Sequence, residues 1–248
     1  MKAKKSLGQN FFVNDNLADK IVEKVLESNP KTVVEIGPGK GFFTSRFIEK
    51  GIRTIVVEKD NTLAKELKFT YPNLIVINED FLDLNLKLLD IKESETVFFG
   101  SLPYNVSKPI IRKILQSEFF QSFAYFIIQK EVAEKYISKA PNSNILSLQS
   151  QLFANCKKFF DISNGSFRPI PKVTSSFVGF SSVKIPFEIP NFKEFNTFLI
   201  QCFISPRKTL RNNLKSYLKD RNIETEFLSK RPQELSLEEY YKLFTFLK

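Results

Sequence analysis

Near its start the chain reads Thr32-Val33-Val34-Glu35-Ile36-Gly37-Pro38-Gly39-Lys40-Gly41, a short apolar run followed by three glycines at alternate positions. Glycine lets the backbone turn sharply and lets a ligand approach the main chain. A strand, a glycine loop and a helix in this order make up the nucleotide-binding unit of many α/β proteins. A plain turn can share this pattern, so the surrounding sequence has to support the interpretation.

The chain around the glycine loop alternates short apolar runs with stretches of helical periodicity. A first helix is predicted after Asn14. The apolar runs are residues 32–36, 54–58, 74–77, 96–100 and 123–129, and the helical stretches between them include 42–49, 62–69 and 109–115. Strands and helices at this spacing predict an open parallel sheet that is covered by helices on both faces.

The pattern changes twice toward the C-terminus. Residues 146–183 read as β-type segments broken by Pro169 and Pro171, which is compatible with antiparallel strands closing one edge of the sheet. Beyond Pro186 and Pro190 the helical periodicity returns, in residues 192–204, 208–219 and 237–247. We therefore predict an α/β fold with a Rossmann-like domain over residues 1–185, including a basic N-terminal arm, and a small helical domain over 186–248.

Composition narrows the functional classes. The 248 residues contain no histidine, which excludes histidine-based catalysis and histidine-ligated metals, and the two cysteines, Cys156 and Cys202, lack metal-ligand spacing. No apolar run is long enough to span a membrane, so we expect a soluble, cytoplasmic protein without a metal. A net charge of +10 favours a polyanionic partner such as nucleic acid, although the bias of an AT-rich genome toward lysine could also produce it.

Acidic residues follow the next two apolar runs. Glu58 ends the second run, where a carboxylate can accept hydrogen bonds from both ribose hydroxyls of a nucleotide. Asp80 closes the third run, where a carboxylate could accept the exocyclic amine of adenine. A dehydrogenase would share these features, so they indicate a nucleoside-containing cofactor without choosing between reactions.

The fourth run ends in Ser101-Leu102-Pro103-Tyr104-Asn105, which resembles the small-Pro-aromatic motif of amino-directed methyltransferases. The lone pair of adenine N6 is delocalised into the ring, so two acceptors must hold the amine before it can attack a methyl sulfonium. The Ser101 side chain and the Leu102 carbonyl could be these acceptors. Pro103 fixes the turn, and Tyr104 offers a ring on which a flipped base can stack. This chemistry requires neither a metal nor a strong base.

With these motifs in order, the chain resembles the small-subunit ribosomal RNA dimethyladenosine transferases, relatives of the erythromycin-resistance rRNA methyltransferases. Further blocks carry the resemblance: residues 5–12 (KSLGQNFF), 129–132 (QKEV), 167–176 (FRPIPKVTSS), 207–214 (RKTLRNNL) and 231–236 (RPQELS). The resemblance implies S-adenosylmethionine as the cofactor. It implies as substrate two adjacent adenosines in a hairpin loop near the 3′ end of small-subunit rRNA, methylated twice each within an immature subunit.

The resemblance also assigns residues to roles. The implied cofactor residues are Asn10, Phe12, Gly37, Gly39, Glu58, Asp80 and Ser101, and the implied catalytic group is Ser101, Leu102, Pro103, Tyr104 and Phe167. Within these sets Gly37 is expected near the methionine portion and Phe167 against the second face of the target base. The chain departs from the family at Ser101, where asparagine is usual; the shorter hydroxyl puts the rate and the second methylation in question.

Basic residues near these blocks are candidates for binding RNA, where cations follow the phosphates and aromatic rings stack on splayed bases. The candidates are Lys2, Lys4 and Lys5 of the N-terminal arm, Arg168 and Lys172 beside the pocket, and Arg207, Lys208 and Arg211. Arg207 and Arg211 share one helix face if the helix already includes Arg207. A solvated helix face, or a surface that docks on the ribosomal subunit, explains the last three equally well.

Three other functions stay open at this point. A large-subunit rRNA methyltransferase of the macrolide-resistance type shares the motifs, and a protein-glutamine methyltransferase shares the amide-directed chemistry. A ribosome-assembly factor that has lost useful methylation is kept open by Ser101. We expect a monomer, because nothing in the sequence indicates an obligate interface.

Overall fold

The computed structural model describes residues 9–218 and 223–248, and the predicted RNA contacts Lys2, Lys4 and Lys5 lie outside these ranges. The chain divides into two compact units. The first contains the described residues up to Ala133 together with Cys156–Ser182, and the second contains Glu134–Asn155 together with the described part of Val183–Lys248. The predicted division at residue 186 therefore differs from the structure chiefly in the segment 134–155, which groups with the C-terminal residues.

The first unit is built on a seven-stranded sheet and a separate two-stranded sheet. The strands are β1 (Phe11–Phe12), β2 (Thr32–Ile36), β3 (Arg53–Val57), β4 (Ile75–Ile77), β5 (Thr96–Ser101), β6 (Phe123–Gln129), β7 (Ala154–Ile162), β8 (Phe167–Arg168) and β9 (Ser175–Ser182). The strand order in the large sheet is β4-β3-β2-β5-β6-β9-β7, and β1 pairs with β8 in the small one.

The helices alternate with the first strands and then dominate the C-terminal part. They are α1 (Asp15–Leu26), α2 (Phe42–Glu49), α3 (Asn61–Thr70), α4 (Ser107–Leu115), α5 (Lys130–Ile137), α6 (Ile145–Gln151), α7 (Phe192–Cys202), α8 (Leu210–Asn213), α9 (Lys215–Leu218), α10 (Glu226–Ser229) and α11 (Leu237–Leu247). In the described part of the chain no helix is both long and apolar enough to cross a membrane.

The parallel arrangement brings the motifs to one edge of the sheet. Strands β4, β3, β2, β5 and β6 are mutually parallel, and β9 pairs antiparallel with β6. The carboxyl ends of parallel strands face the same edge, so the glycine loop, Glu58, Asp80 and Ser101 meet there. The predicted α/β class, with a parallel sheet closed by an antiparallel strand, is confirmed.

The central strands of the large sheet are apolar because both of their faces are buried. All five residues of β2 are buried, which fits a strand that is covered on both faces. A cluster of phenylalanine rings packs against one face; Phe43 and Phe99 are 4.9 Å apart between ring centroids, and Phe47 and Phe99 are 5.2 Å apart. Phenylalanine is therefore the main apolar residue of this core.

The expectation of β-type structure throughout 146–183 is wrong for residues 146–151, which belong to the helix α6. The Asn144 side chain accepts hydrogen bonds from the backbone N–H groups of Leu146 and Ser147, and Ser147 Oγ accepts the Asn144 N–H, which forms a capping box. Leu148 is buried in the apolar cluster of the second unit. The cap and this burial outweigh the local sequence pattern.

The second unit is helical, and one predicted helix is interrupted. The cluster around Phe195, Phe198 and Phe244 joins α7 and α11. A single helix was predicted from residue 208, but the described residues form two short helices, α8 and α9. Thr209 is the N-terminal cap of α8, so the first helical residue is Leu210. Arg207 lies outside this helix, so the helix face predicted for Arg207 and Arg211 does not form.

Candidate active site

The glycine loop between β2 and α2 adopts a backbone that other residues avoid. Gly37 and Gly39 have φ values of 66° and 59°. A Cβ atom on Gly37 would meet nothing within 4 Å, whereas one on Gly39 would lie 3.1 Å from the ring of Phe11. The loop therefore leaves open space in front of Gly37, where a ligand can reach the main chain.

Glu58 fixes this loop to the end of β3. Its Oε2 accepts the Gly39 N–H at 3.1 Å, and its Oε1 accepts the Asp60 N–H at 2.8 Å. Each carboxylate oxygen keeps a further lone pair for a ligand. Burial raises the pKa of Glu58, and these backbone donors partly oppose the increase.

Asp80 is held by the residues that follow β3 and β4. Its Oδ1 accepts the Leu82 N–H at 2.9 Å, and its Oδ2 accepts a hydrogen bond from Lys59 Nζ at 2.6 Å. Burial alone would raise the pKa of Asp80, but these two donors outweigh it and the pKa is lowered. The site therefore presents an ionised carboxylate at this position.

A buried carboxyl that the sequence reasoning missed lies under the glycine loop. Glu35 is 2% exposed, and Thr44 Oγ1 donates a hydrogen bond to its Oε2 at 2.6 Å. Burial raises the pKa of Glu35 to about 8, and the neighbouring Glu58 carboxylate raises it as well. The signal available in the sequence was an acidic residue within an otherwise apolar strand.

The N-terminal residues reach the same place through the small sheet. Phe11 and Phe12 pair with Arg168 and Phe167, and the rings of Phe12 and Phe167 meet edge to face at 5.2 Å. Gln9 Nε2 also donates to Asp60 Oδ2 at 3.2 Å. The small sheet therefore connects the segment beside the glycine loop with the segment that carries Phe167.

The turn after β5 is held on both sides. The Leu102 N–H donates to the Ile127 carbonyl at 3.1 Å, and the Tyr104 and Ser175 hydroxyls are hydrogen-bonded at 2.8 Å. Ser175 is fully buried, and burial raises the pKa of the Tyr104 hydroxyl. These bonds fix both the backbone of the turn and the outer end of the Tyr104 side chain.

The glycine loop, the acidic strand ends and the turn after β5 line one cavity of about 390 Å³, a volume within the range of small-molecule sites. Every predicted cofactor and catalytic residue lines it: Asn10, Phe12, Gly37, Gly39, Glu58, Asp80, Ser101, Leu102, Pro103, Tyr104 and Phe167. Arg168 is also part of the lining. The open front of Gly37 and the two acidic strand ends fit a nucleoside cofactor, and the Ser101–Tyr104 turn forms another part of the same wall.

Comparison with known proteins identifies the family of the chain. The whole chain, residues 1–248, matches the family described as ribosomal RNA adenine dimethylase. The chain belongs to this family. The ribosomal RNA adenine dimethylases are S-adenosylmethionine-dependent methyltransferases, so the predicted enzyme class and cofactor are confirmed.

Curated relatives of the dimethylase resemble it over nearly their full length. Three proteins named Ribosomal RNA small subunit methyltransferase A illustrate this. That of Mesomycoplasma hyopneumoniae is 38% identical, with 98% of this chain and 95% of the relative covered. That of Malacoplasma penetrans is 34% identical, with 97% and 90% covered, and that of Chlorobium phaeobacteroides is 36% identical, also with 97% and 90% covered.

Solved structures support the fold of the dimethylase. A dimethyladenosine transferase from Plasmodium falciparum has a TM-score of 0.77 at 24% identity, with 95% of this chain and 96% of that chain covered. The 23S rRNA methyltransferase ErmE has a TM-score of 0.71 at 20% identity, with 96% and 99% covered. Both likenesses concern the fold.

The candidate RNA contacts of the dimethylase fall into two groups. Arg168 lines the cavity, where its Nη1 donates to the carbonyls of Phe167 and Gly165 at 2.8 and 3.1 Å, and Lys172 is exposed four residues later. Arg207, Lys208 and Arg211 are exposed residues of the second unit. They remain predictions.

A buried asparagine shapes the segment with Arg207 and Lys208. Asn213 Oδ1 accepts the Ser205 N–H at 2.9 Å, and its Nδ2 donates to the Ser205 carbonyl at 3.1 Å. Arg211, in contrast, forms an ion pair with Glu224 at 3.0 Å.

Across residues 9–218 and 223–248 no group of cysteine, aspartate or glutamate side chains is arranged to hold a metal ion.

Proposed function

We propose that this dimethylase transfers two methyl groups to the N6 atom of each of two adjacent adenosines in a hairpin loop near the 3′ end of small-subunit rRNA. The observation that carries the proposal is the single cavity shared by the acidic strand ends and the Ser101–Tyr104 turn. The names of the curated relatives support small-subunit rRNA as the substrate.

At the cofactor end, the acidic residues would bind the nucleoside. Glu58 would accept the ribose hydroxyls with the lone pairs that its backbone donors leave free, and Asp80 would accept the adenine amine. The main chain at Gly37 would approach the methionine portion, with Gly39 completing the loop and Asn10 and Phe12 beside it. S-adenosylmethionine supplies the activated methyl group.

At the target end, the turn would prepare the adenine amine for attack. The Ser101 hydroxyl and the Leu102 carbonyl would accept its hydrogens, which directs the nitrogen lone pair away from ring conjugation. Pro103 holds the shape of the turn, and Tyr104 and Phe167 would stack on the base. The nitrogen loses one proton for each methyl group that it gains, and solvent water can take up that proton.

The partner is proposed to be an immature small ribosomal subunit in the cytoplasm, bound by a monomer. Arg168 and Lys172 would contact RNA near the cavity, and Lys4 and Lys5 would do so from the N-terminal arm. Arg207, Lys208 and Arg211 would bind rRNA phosphates from the helical unit. These contacts are supported by the exposure of five side chains, those of Arg168, Lys172, Arg207, Lys208 and Arg211.

One specific residue favours a second candidate function. The resemblance implies asparagine at the position of Ser101, and a serine hydroxyl reaches less far toward an amine. The second candidate is therefore a member of the family that acts mainly in subunit assembly: it would bind immature subunits and methylate them only slowly.

The choice of substrate is tested by incubating the protein with tritiated S-adenosylmethionine and isolated ribosomal subunits, either small or large. The subunits come from a strain that lacks N6-methylated adenosine in the rRNA of both. We expect label in the RNA of small subunits. Label in large subunits would favour the macrolide-resistance type, and tight binding without label would favour the assembly factor.

A further inference from the structure

Lys113 of α4 makes an unusual set of contacts with the loop that follows Asp80. Its Nζ donates to the carbonyl oxygens of Phe81 at 2.8 Å, Leu82 at 2.7 Å and Leu84 at 2.6 Å. An ammonium group has three hydrogens to donate, so this loop uses all of them. The same Nζ lies 5.6 Å from the centroid of the Phe81 ring.

This loop in turn sets the position of Asp80. The N–H groups of Asp83 and Leu84 donate to the Asp80 carbonyl at 2.9 and 3.0 Å, and the Leu82 N–H donates to Asp80 Oδ1 at 2.9 Å. Every bond that Lys113 makes therefore fixes a backbone segment that is itself bonded to Asp80. Lys113 is not part of the cavity wall, whereas Asp80 and Phe81 are.

The same helix also supports the target-base turn. At the start of α4, Ser107 Oγ donates to the Tyr104 carbonyl at 3.2 Å. One rigid helix thus contacts the backbone of Tyr104 at its beginning and the Asp80 loop two turns later. Lysine is suited to the second contact because a flexible stem with three donors can satisfy carbonyls that converge from different directions.

We propose that Lys113 is the positioning residue of the adenine-binding end of the cofactor site, and that it gives the site its selectivity for the adenine amine. The proposal rests on the proposed assignment of Asp80 to that amine. Without the ammonium, three loop carbonyls lose their donor, and the loop whose N–H groups bond Asp80 can shift and carry the carboxylate with it. Binding energy that depends on the amine is then lost, whereas contacts to the ribose and the methionine portion remain.

The test compares two ligands that differ at position 6 of the purine. Dissociation constants of S-adenosylhomocysteine and its 6-deamino analogue, which carries unsubstituted purine as its base, are measured calorimetrically for the wild-type protein, Lys113→Met, Lys113→Arg and Lys108→Met. Lys108 is an exposed residue of the same helix and serves as the matched control. The 6-deamino analogue has a hydrogen atom where adenine has the amine and keeps N1 as an acceptor, so the ratio of the two constants reports recognition of the amine alone.

We expect Lys113→Met to reduce this ratio about tenfold, the effect of losing one hydrogen bond to a charged group. We expect Lys113→Arg to restore part of it and Lys108→Met to leave it unchanged. A ratio in Lys113→Met equal to that of the wild type would overturn the proposal, whatever happens to overall affinity or stability. A wild-type ratio near one would instead overturn the assignment of Asp80, and this inference with it.

Discussion

The hydroxyl groups of Tyr104 and Ser175 lie 2.8 Å apart although the two residues are 71 positions apart in sequence. Tyr104 belongs to the turn after β5, and Ser175 is the first residue of β9, which pairs with β6. The antiparallel strand beside β6 therefore also restrains the ring proposed to stack on the target base. We therefore expect changes in β9 to affect the reaction.

Ser175→Ala is expected to lower the turnover rate about three- to tenfold, because the loss of one neutral hydrogen bond frees the Tyr104 ring. The dissociation constant for S-adenosylmethionine should not change. Ser176→Ala is the matched control, since that neighbouring hydroxyl donates to Asp161 at 2.7 Å instead. If Ser175→Ala slows a Tyr104→Phe enzyme as much as it slows the wild type, the hydroxyl pair does not position the ring.

Tyr104→Ala is expected to reduce methyl transfer by about 5- to 150-fold, because stacking of one base on an aromatic ring contributes about 1–3 kcal/mol. Tyr104→Phe keeps the ring but loses the hydrogen bond to Ser175, so it should lose only about as much activity as Ser175→Ala. Single-turnover methylation of undermethylated small subunits measures both variants, and circular dichroism checks the fold. Near-normal transfer by Tyr104→Ala would exclude stacking on this residue.

Asp80→Ala is expected to weaken S-adenosylmethionine binding by roughly tenfold or more, because the adenine amine loses a charged acceptor. The variant also leaves Lys59 without its partner at 2.6 Å. Lys59→Ala therefore serves as the control that separates the loss of this ion pair from the loss of the acceptor. An unchanged dissociation constant in Asp80→Ala would rule out the contact with adenine.

Glu35→Gln is expected to stabilise the protein at neutral and alkaline pH. Burial raises the pKa of Glu35 from its ordinary value of about 4.5 to about 8 in the native state, so between these values the native state keeps a proton that the unfolded state has lost. The free energy of unfolding of the wild type should therefore fall as pH rises from about 4.5 to about 8, by roughly a few kcal/mol from this residue.

Denaturant unfolding at pH 5, 7 and 9 measures this effect, with Glu49→Gln as a control at an exposed position of α2. Glutamine keeps an acceptor for the Thr44 hydroxyl but does not titrate. The gain in stability of Glu35→Gln over the wild type should grow from pH 5 to pH 9. An equal gain at all three values would mean that Glu35 does not change its ionisation between the two states.

Much of the first unit could be predicted because its signals are local. The apolar runs at β2 and β6 and the helix α2 match the structure residue for residue. The carboxyl ends of parallel strands necessarily share one edge, so the order of Gly37, Glu58, Asp80 and Ser101 in the sequence was enough to predict one site.

What the sequence did not reveal depends on distant contacts. Lys113 donates to carbonyls 29–32 residues away, and nothing in the periodicity of α4 distinguishes it from a solvated lysine. The helix α6 was missed because its capping residue and its burial among helices of the second unit decide its structure. Glu35 was missed because its raised pKa arises from burial under a loop.

We propose that one cavity brings the cofactor and an adenine amine together and that Ser101 is a sufficient acceptor for that amine. Nucleoside mass spectrometry of undermethylated small subunits, after incubation with the protein and S-adenosylmethionine, tests it most directly. We expect N6,N6-dimethyladenosine at both adjacent loop positions. Subunits that bind the protein but contain no methylated adenosine would contradict it.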